Sequence, residues 1–206
     1  MKTQNSLTLA SLLTITCLAS QVQANLITNG GFEAPLVANV GQFLSIPGWT
    51  LDGSSIGTTF EIQNTNLGLG PAYQGAQYCE LNSTGTTSMY QDIATVPGTY
   101  YNVSYAFSPR IGVTDNNLRF YWDGSLINTL SASGVGNTSA VWTPKFYNLK
   151  ATGLLTRVQF DDLLDPNNSL GTFLDAVNVS TPEPGSVALL FGMATVGASL
   201  LRRRRK

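Results

Sequence analysis

Asp175 is a carboxylate among apolar residues, so its position in the sequence indicates that it needs a specific binding partner. If residues 173–179 form a strand, Asp175 shares a face with Phe173, Val177 and Val179, which are all apolar. A carboxylate on a buried apolar face needs a cation or several hydrogen bonds. We therefore expect it to bind a cation, to accept hydrogen bonds from backbone N–H groups, or to pair with Arg110.

Catalytic groups are poorly represented. The chain contains no histidine to act as a base near neutral pH, and no Gly-x-Ser-x-Gly nucleophile turn. Asp161 and Asp162 are adjacent, so on a strand they would point to opposite faces, and with Asp165 they fit a solvated loop or a weak ion site. Glu61 and Glu80 remain as the carboxylate pair of a glycoside hydrolase. We expect a protein that is not an enzyme, with hydrolysis as the least favoured alternative.

Exposed aromatic rings are the common platforms of sugar-binding proteins, and this chain is rich in aromatics. Tyr105 and Trp122 lie on predicted core faces, where aromatics pack across strands. Arg119 and Tyr121 alternate with the apolar positions of the same predicted strand, so they point outward. We therefore take Arg119 and Tyr121 as the candidate ligand-binding residues.

The elements that must position these residues are short strands. Apolar and polar residues alternate in residues 99–107, 118–122 and 154–160, and Asp123-Gly124 is a hairpin signal. Turn residues recur about every ten positions, and no helical periodicity is apparent between residues 25 and 181. The pattern predicts one all-β domain over residues 25–181, an antiparallel sandwich of two sheets with a jelly-roll arrangement.

The N-terminus has the layout of a secretory signal peptide over residues 1–24. Lys2 is followed by an uncharged apolar run from Leu7 to Ala19, which is shorter than the roughly 20 residues of a membrane span. Val22-Gln23-Ala24 places small residues where a signal peptidase cuts. We expect export by the Sec translocon and a mature chain with one cysteine, Cys79, and hence no internal disulfide.

Charge is unevenly distributed along the chain. Residues 25–181 carry five basic and eleven acidic side chains, a formal net charge of −6, while the whole chain carries −1. An acidic domain without a basic stripe argues against nucleic-acid binding.

The C-terminal segment, residues 182–206, has three parts. Pro182, Glu183 and Pro184 come first, and the uncharged, mostly apolar residues 185–201 follow. As a helix this run would be about 26 Å long, close to the thickness of a hydrocarbon core. Five cations close the chain and would stay on the cytoplasmic side: Arg202, Arg203, Arg204, Arg205 and Lys206. The pattern predicts a transmembrane helix with the domain outside.

This tail resembles the PEP-CTERM sorting domain of Gram-negative bacteria in its Pro-Glu-Pro, its glycine-containing apolar run and its arginine cluster. The resemblance implies an exosortase, a membrane transpeptidase, as a partner, with processing near Pro182 to Pro184 and release to the surface or matrix. Members of that family are often associated with exopolysaccharide and biofilm production. A single-pass anchor without processing is the alternative.

The domain itself resembles the jelly rolls of carbohydrate-binding modules and of related galactose-binding-like families, including DUF642. The resemblance rests on residues 25–33, Pro47-Gly48-Trp49, residues 75–82, Ser108-Pro109-Arg110 and residues 171–179. Similar jelly rolls hold a structural Ca²⁺ between a glutamate of the first strand and an aspartate of the last. The resemblance therefore implies Glu33 and Asp175 as calcium ligands, with backbone carbonyls and water supplying the rest.

Taken together, the sequence predicts an exported, exosortase-sorted protein of the cell surface or matrix with a glycan-binding jelly roll. A structural matrix protein without a sugar site is the main alternative, and a secreted glycoside or ester hydrolase is the lesser one.

Overall fold

The computed structural model describes residues 24–182. The described residues do not include residues 1–23 of the predicted signal peptide, Glu183 and Pro184, the predicted transmembrane helix at 185–201 or the basic cluster 202–206, so those predictions stand as they were made. Among residues 24–182, no helix has the length and apolar character needed to cross a bilayer.

Within this range the backbone forms eleven strands in two antiparallel sheets, and one 3₁₀ turn at Thr65–Leu67. The six-stranded sheet has the order β1-β3-β4-β11-β6-β9, and the five-stranded sheet has the order β2-β5-β10-β7-β8. The strands are β1 Val40–Phe43, β2 Thr50–Leu51, β3 Phe60–Asn64, β4 Gln77–Glu80, β5 Ser88–Ala94, β6 Tyr100–Ser108, β7 Asn116–Trp122, β8 Ser125–Ala132, β9 Thr143–Lys150, β10 Leu155–Asp161 and β11 Phe173–Ser180. The predicted all-β class with two antiparallel sheets is confirmed.

Local sequence explains several of these elements. The alternation in residues 99–107 becomes β6, whose apolar side faces the other sheet and whose polar side faces outward. Asp123 and Gly124 join β7 to β8 with φ angles of 50° and 76°. Two consecutive positive φ values are characteristic of the type I′ hairpin turn, for which Asp-Gly is a favoured pair.

The core lies between the two sheets and has an aromatic centre. Tyr105 of the six-stranded sheet lies 5.2 Å from Phe120 and 5.0 Å from Phe160 of the five-stranded sheet, measured between ring centroids. Phe120 and Phe160 are 5.1 Å apart, and all three side chains are buried. These rings join the sheets by packing, so they are unavailable as sugar platforms.

The closing strand β11 differs from its predicted facing. Phe173, Asp175, Val177 and Val179 do not share a face: Leu174, Val177 and Val179 belong to the core cluster, and Phe173 does not. Phe173 instead packs against Tyr78 on the outer side of the six-stranded sheet.

A β-bulge causes this difference. Asp175 pairs with Ala106 and Asn178 with Ser104, so three steps along β11 match two along β6. Ala176 occupies the bulge with a φ of 51°, in the left-handed region. One extra residue reverses the alternation, which leaves both Asp175 and Asn178 on the outer face.

Residues 25–33 were predicted as an opening strand, but they form turns that run beside β11. The amide of Leu26 donates to Val179 O at 2.8 Å, and that of Val177 donates to Gly30 O at 2.8 Å. Asn29 and Phe32 have φ angles of 54° and 55°, which bend the chain and prevent a regular strand. The turn still places Glu33 near the end of β11.

Candidate functional site

The candidate site is a groove on the outer face of the six-stranded sheet, across β11, β6 and β9. Strand register sets its floor: Asn178 of β11, Ser104 of β6 and Phe146 of β9 form one cross-strand row. The next row consists of Ser180, Asn102 and Asn148. Two adjoining cavities of about 540 and 250 Å³ lie over these rows and share Ser104, Phe146 and Asn178.

Phe146 is the unusual side chain of the groove. Its ring is 74% exposed, and because β9 is an edge strand, only β6 lies beside it in the sheet. The residue beside it on β6 is Ser104, and the next outward position there is Ala106. Small side chains on the central strand therefore create the depression and leave one ring face open to solvent.

Amide side chains supply the polar part of the groove. Asn148 Nδ2 donates to Asn102 Oδ1 at 2.9 Å. This bond leaves the Asn102 amide group and the Asn148 oxygen as remaining donor and acceptor. Asn178 lies across the floor from Phe146, where the β11 bulge aims it outward. An open ring bordered by amides that both donate and accept hydrogen bonds is a surface suited to a hydroxyl-rich ligand.

Tyr73 extends the groove at its smaller end. It lines the 250 Å³ cavity together with Gln74, is 45% exposed, and lies 6.2 Å from the Trp142 ring. Two carboxylates hold its loop through backbone amides: Asp175 Oδ2 accepts from Gln74 N at 2.9 Å, and Glu33 Oε1 accepts from Ala76 N at 2.7 Å. The two carboxylates thus hold the loop at the residues that follow Tyr73.

Glu33 and Asp175, the residues that the resemblance implied as calcium ligands, therefore bind the same loop. Asp175 is fully buried, and its Oδ1 accepts from its neighbour Ala176 N at 2.5 Å. Burial raises the pKa of Asp175 to about 7, although the backbone amides oppose that shift. Of the partners expected for Asp175, the structure shows backbone N–H groups. Arg110 pairs with Glu80 and not with Asp175. A calcium ion between Glu33 and Asp175 stays a prediction.

Glu61 and Glu80, the pair considered for hydrolysis, are direct cross-strand neighbours. Gln63 Nε2 bonds both carboxylates, Arg110 pairs with Glu80, and Gly171 N donates to Glu80 Oε1 at 2.9 Å. Glu80 is 1% exposed. With both oxygens bonded and no access to solvent, Glu80 serves the structure of the sheet and is badly placed to meet a substrate.

Arg119 and Tyr121, the predicted ligand-binding pair, lie on the outer face of the five-stranded sheet, away from the groove. Arg119 Nε donates to Asp161 Oδ1 at 2.6 Å, and its guanidinium lies 5.7 Å from the Tyr121 ring centroid. Both side chains are half-buried. The structure places these two residues together but outside the groove, and their predicted role in binding stays a prediction.

Sequence reasoning missed Phe146 and its amide neighbours. The signal was present in β9, where Pro144, Phe146 and Asn148 alternate with Lys145 and Tyr147. An isolated phenylalanine on the polar side of a strand is easily taken for packing. Only the register of β6 shows that nothing large stands next to it.

Two much longer Vibrio proteins are similar in sequence to this chain over part of their length. The chain is 32% identical over 172 residues to a multifunctional-autoprocessing repeats-in-toxin of Vibrio cholerae, and 30% identical over 162 residues to one of Vibrio vulnificus. These matches cover 82% and 77% of the chain, and the chain spans 3% of the length of each relative. No family model matches the chain.

Among solved structures, the K2 cleaved adhesin domain of Lys-gingipain aligns with a TM-score of 0.51 at 14% identity, over 74% of this chain and 97% of that one. Carbohydrate-binding modules with the jelly-roll fold are also structural neighbours. One of them, TmCBM61, whose structure was determined with β-1,4-galactotriose, aligns with a TM-score of 0.49 at 17% identity, over 77% of this chain and 99% of that one. The chain thus shares its two-sheet fold with the adhesin domain.

Proposed function

We propose that this protein is a non-enzymatic binding module that holds a polysaccharide in the groove of its six-stranded sheet. The observation that carries the proposal is the open ring of Phe146, beside the small side chain of Ser104 and bordered by asparagines. One face of a sugar ring is lined with C–H groups and stacks on an aromatic ring, while its hydroxyls both donate and accept hydrogen bonds, as the asparagine amides do.

The shape of the groove favours a chain over a single sugar. It runs over two successive rows of β11, β6 and β9 and continues to Tyr73 through the second cavity. Phe146 and Tyr73 both line that second cavity, so successive sugar units could stack on them. The exposure of the groove fits a long polymer that passes across the sheet and does not need to be enclosed.

The two terminal segments support a proposal for where in the cell the protein is located. We propose that residues 1–24 direct export, that residues 185–201 anchor the chain with Arg202–Lys206 in the cytoplasm, and that an exosortase processes Pro182-Glu183-Pro184. This arrangement supports a role at the cell surface or in the matrix, with exopolysaccharide as the polymer. The acidic domain favours a neutral or cation-bridged polymer, because a polyanion would be repelled.

The binding proposal is tested by affinity electrophoresis of the full-length chain in gels that contain the host exopolysaccharide. We expect retardation that Phe146→Ala removes. Leu154→Ala is the matched control, because Leu154 is similarly exposed, at 76%, and does not line the groove. Equal retardation of the Phe146→Ala variant would place the site elsewhere, and loss on Tyr121→Ala would move it to the five-stranded sheet.

The sorting proposal has a separate test. Mass spectrometry of the protein recovered from host medium and membranes gives its C-terminus. A new terminus near Pro182 to Pro184 is the expected result, and an intact Lys206 confined to the membrane fraction would mean a plain anchor.

A further inference from the structure

The loop after β10 contains two buried carboxylates, Asp162 and Asp165, that the groove does not use. They are 1% and 7% exposed. The Asp165 amide donates to Asp162 O at 2.7 Å, closing a tight turn that brings the two residues side by side. The molecule therefore places two potential negative charges next to each other in its interior.

Each carboxylate is fixed by one oxygen to a different strand of the five-stranded sheet. Asp162 Oδ1 accepts from Thr87 N at 2.6 Å, beside the start of β5. Asp165 Oδ1 accepts from Asn117 N at 2.8 Å and from Asn117 Nδ2 at 2.6 Å, in β7. Neither side chain is free to turn toward solvent.

The second oxygen of each carboxylate is buried without a partner. Asp162 Oδ2 and Asp165 Oδ2 are both inaccessible and accept no hydrogen bond within the described residues. The ion pairs of residues 24–182 bring arginines to Glu80, Asp161 and Asp92, so none of them neutralises this pair. An unpartnered buried carboxylate oxygen is costly, so both oxygens need a hydrogen-bond donor, a proton or a cation.

We propose that Asp162 and Asp165 together bind a divalent cation of the Ca²⁺ type through these two oxygens. Ca²⁺ prefers carboxylate and carbonyl oxygens and tolerates irregular geometry with six to eight ligands. No group of three or more acidic, cysteine or histidine side chains converges within the described part of the chain, so backbone oxygens and water complete the shell. The bound ion would tie the β10–β11 loop to β5 and β7.

A proton is the competing way to satisfy the pair. Burial raises the pKa of Asp162 to about 8 and that of Asp165 to about 6, and the charge of Asp165 adds to the shift at Asp162. One proton, however, satisfies a single oxygen. A divalent cation satisfies both and removes the repulsion between the two groups, which is why the geometry favours the ion.

The test uses the full-length chain, stripped with EDTA and titrated with CaCl₂ by calorimetry and by thermal unfolding. We expect the Asp162–Asp165 pair to bind one ion and the melting temperature to rise by several degrees. Asp162→Asn and Asp165→Asn should each weaken binding at least tenfold, because the amide keeps the size but loses the charge. Asp92→Asn, at an exposed carboxylate outside this loop, is the control and should keep the response.

Two results would overturn the proposal: an unmodified chain that takes up no Ca²⁺ at millimolar concentration, or a response that survives Asp162→Asn and Asp165→Asn but disappears in Asp175→Asn. If the asparagine variants do not fold, amide chemical shifts of the unmodified chain locate the ion. Changes on Ca²⁺ addition centred on Thr87 and Asn117 support the proposal. Changes centred on Gln74 and Ala76 contradict it, because those amides bond Asp175 and Glu33.

Discussion

Asn178 and Phe146 lie in one cross-strand row of the six-stranded sheet, on either side of Ser104. The pair depends on a backbone irregularity, because a regular β11 would turn Asn178 toward the core if Asp175 stayed on the outer face. The bulge at Ala176 places both polar side chains outward and keeps Val177 and Val179 in the core. One inserted residue thus lets β11 pack Val177 and Val179 inward and present Asn178 to the proposed binding groove.

The bulge can be tested at Ala176 itself, whose φ is 51°. Glycine adopts this conformation freely, whereas a β-branched residue is strongly strained there. We expect Ala176→Gly to keep both stability and polysaccharide retardation. Ala176→Val should lose about 1–3 kcal/mol of unfolding free energy, together with retardation, as measured by urea denaturation and affinity electrophoresis. Full binding by a destabilised Ala176→Val variant would show that the bulge does not position Asn178.

A second prediction concerns the floor of the groove, where a larger side chain should block binding without affecting the backbone. Ser104 lies between Asn178 and Phe146, and its small side chain keeps the depression open. We expect Ser104→Leu to fill the groove and to abolish retardation with little change in the melting temperature, because the added atoms lie on the outer face. Ser131→Leu, on β8 of the other sheet, is the control for adding an apolar side chain to a strand. Binding that survives Ser104→Leu would exclude the groove as the site.

Buried Glu80 gives a pH prediction. Burial raises the pKa of Glu80 from 4.5 to about 8, although Arg110 and the Gly171 amide oppose the shift. A carboxyl whose pKa is higher in the folded state stabilises it when protonated, so this contribution is complete below about 4.5 and is lost as the pH rises through about 8. At about 1.4 kcal/mol per pKa unit, even half this shift amounts to about 2 kcal/mol.

We therefore expect the melting temperature to fall between pH 5 and pH 8, and Glu80→Gln to reduce that slope whatever its effect on absolute stability. Asp162, Asp165 and Asp175, whose pKa values burial also raises, keep the rest of the slope. Asp92→Asn, at an exposed carboxylate, controls for the loss of one charge. A slope that is unchanged in Glu80→Gln would mean that Glu80 is ionised in the folded state, held by Arg110.

The sequence predicts a structural feature well when the residues that determine it are neighbours in the chain. Alternation in β6 and the Asp123-Gly124 turn are local, and they predicted the strand facing and the hairpin. The β11 bulge is not visible in residues 173–180, because an alanine with positive φ has no sequence signature. Phe146 could not be selected either, since its exposure depends on the small residue that a distant strand places beside it. Glu33 and Asp175 were paired through a resemblance as calcium ligands, which stays a prediction. Backbone N–H groups were one of the partners expected for Asp175, but the sequence did not indicate which amides these are.

That loop gives the last prediction, at Gly75, which has a φ of 73°. A Cβ at this position would lie 2.1 Å from Glu33 Oε1, the atom that accepts the amides of Ala76 and Gln77. Gly124 is the matched control, because its φ is 76° and a Cβ there would meet nothing within 4 Å. Gly124→Ala should therefore cost only the left-handed strain of about 1–2 kcal/mol.

Gly75→Ala should cost more than Gly124→Ala in unfolding free energy, because Glu33 must give up its position as well. It should also weaken polysaccharide retardation, since Tyr73 depends on the same loop. Chemical denaturation of both variants gives their unfolding free energies. The difference between the two losses is the cost of displacing Glu33, because both variants share the cost of an alanine with a positive φ. Equal losses of unfolding free energy would mean that the Glu33 side chain moves aside at no cost. Glu33 would then not fix the loop that presents Tyr73.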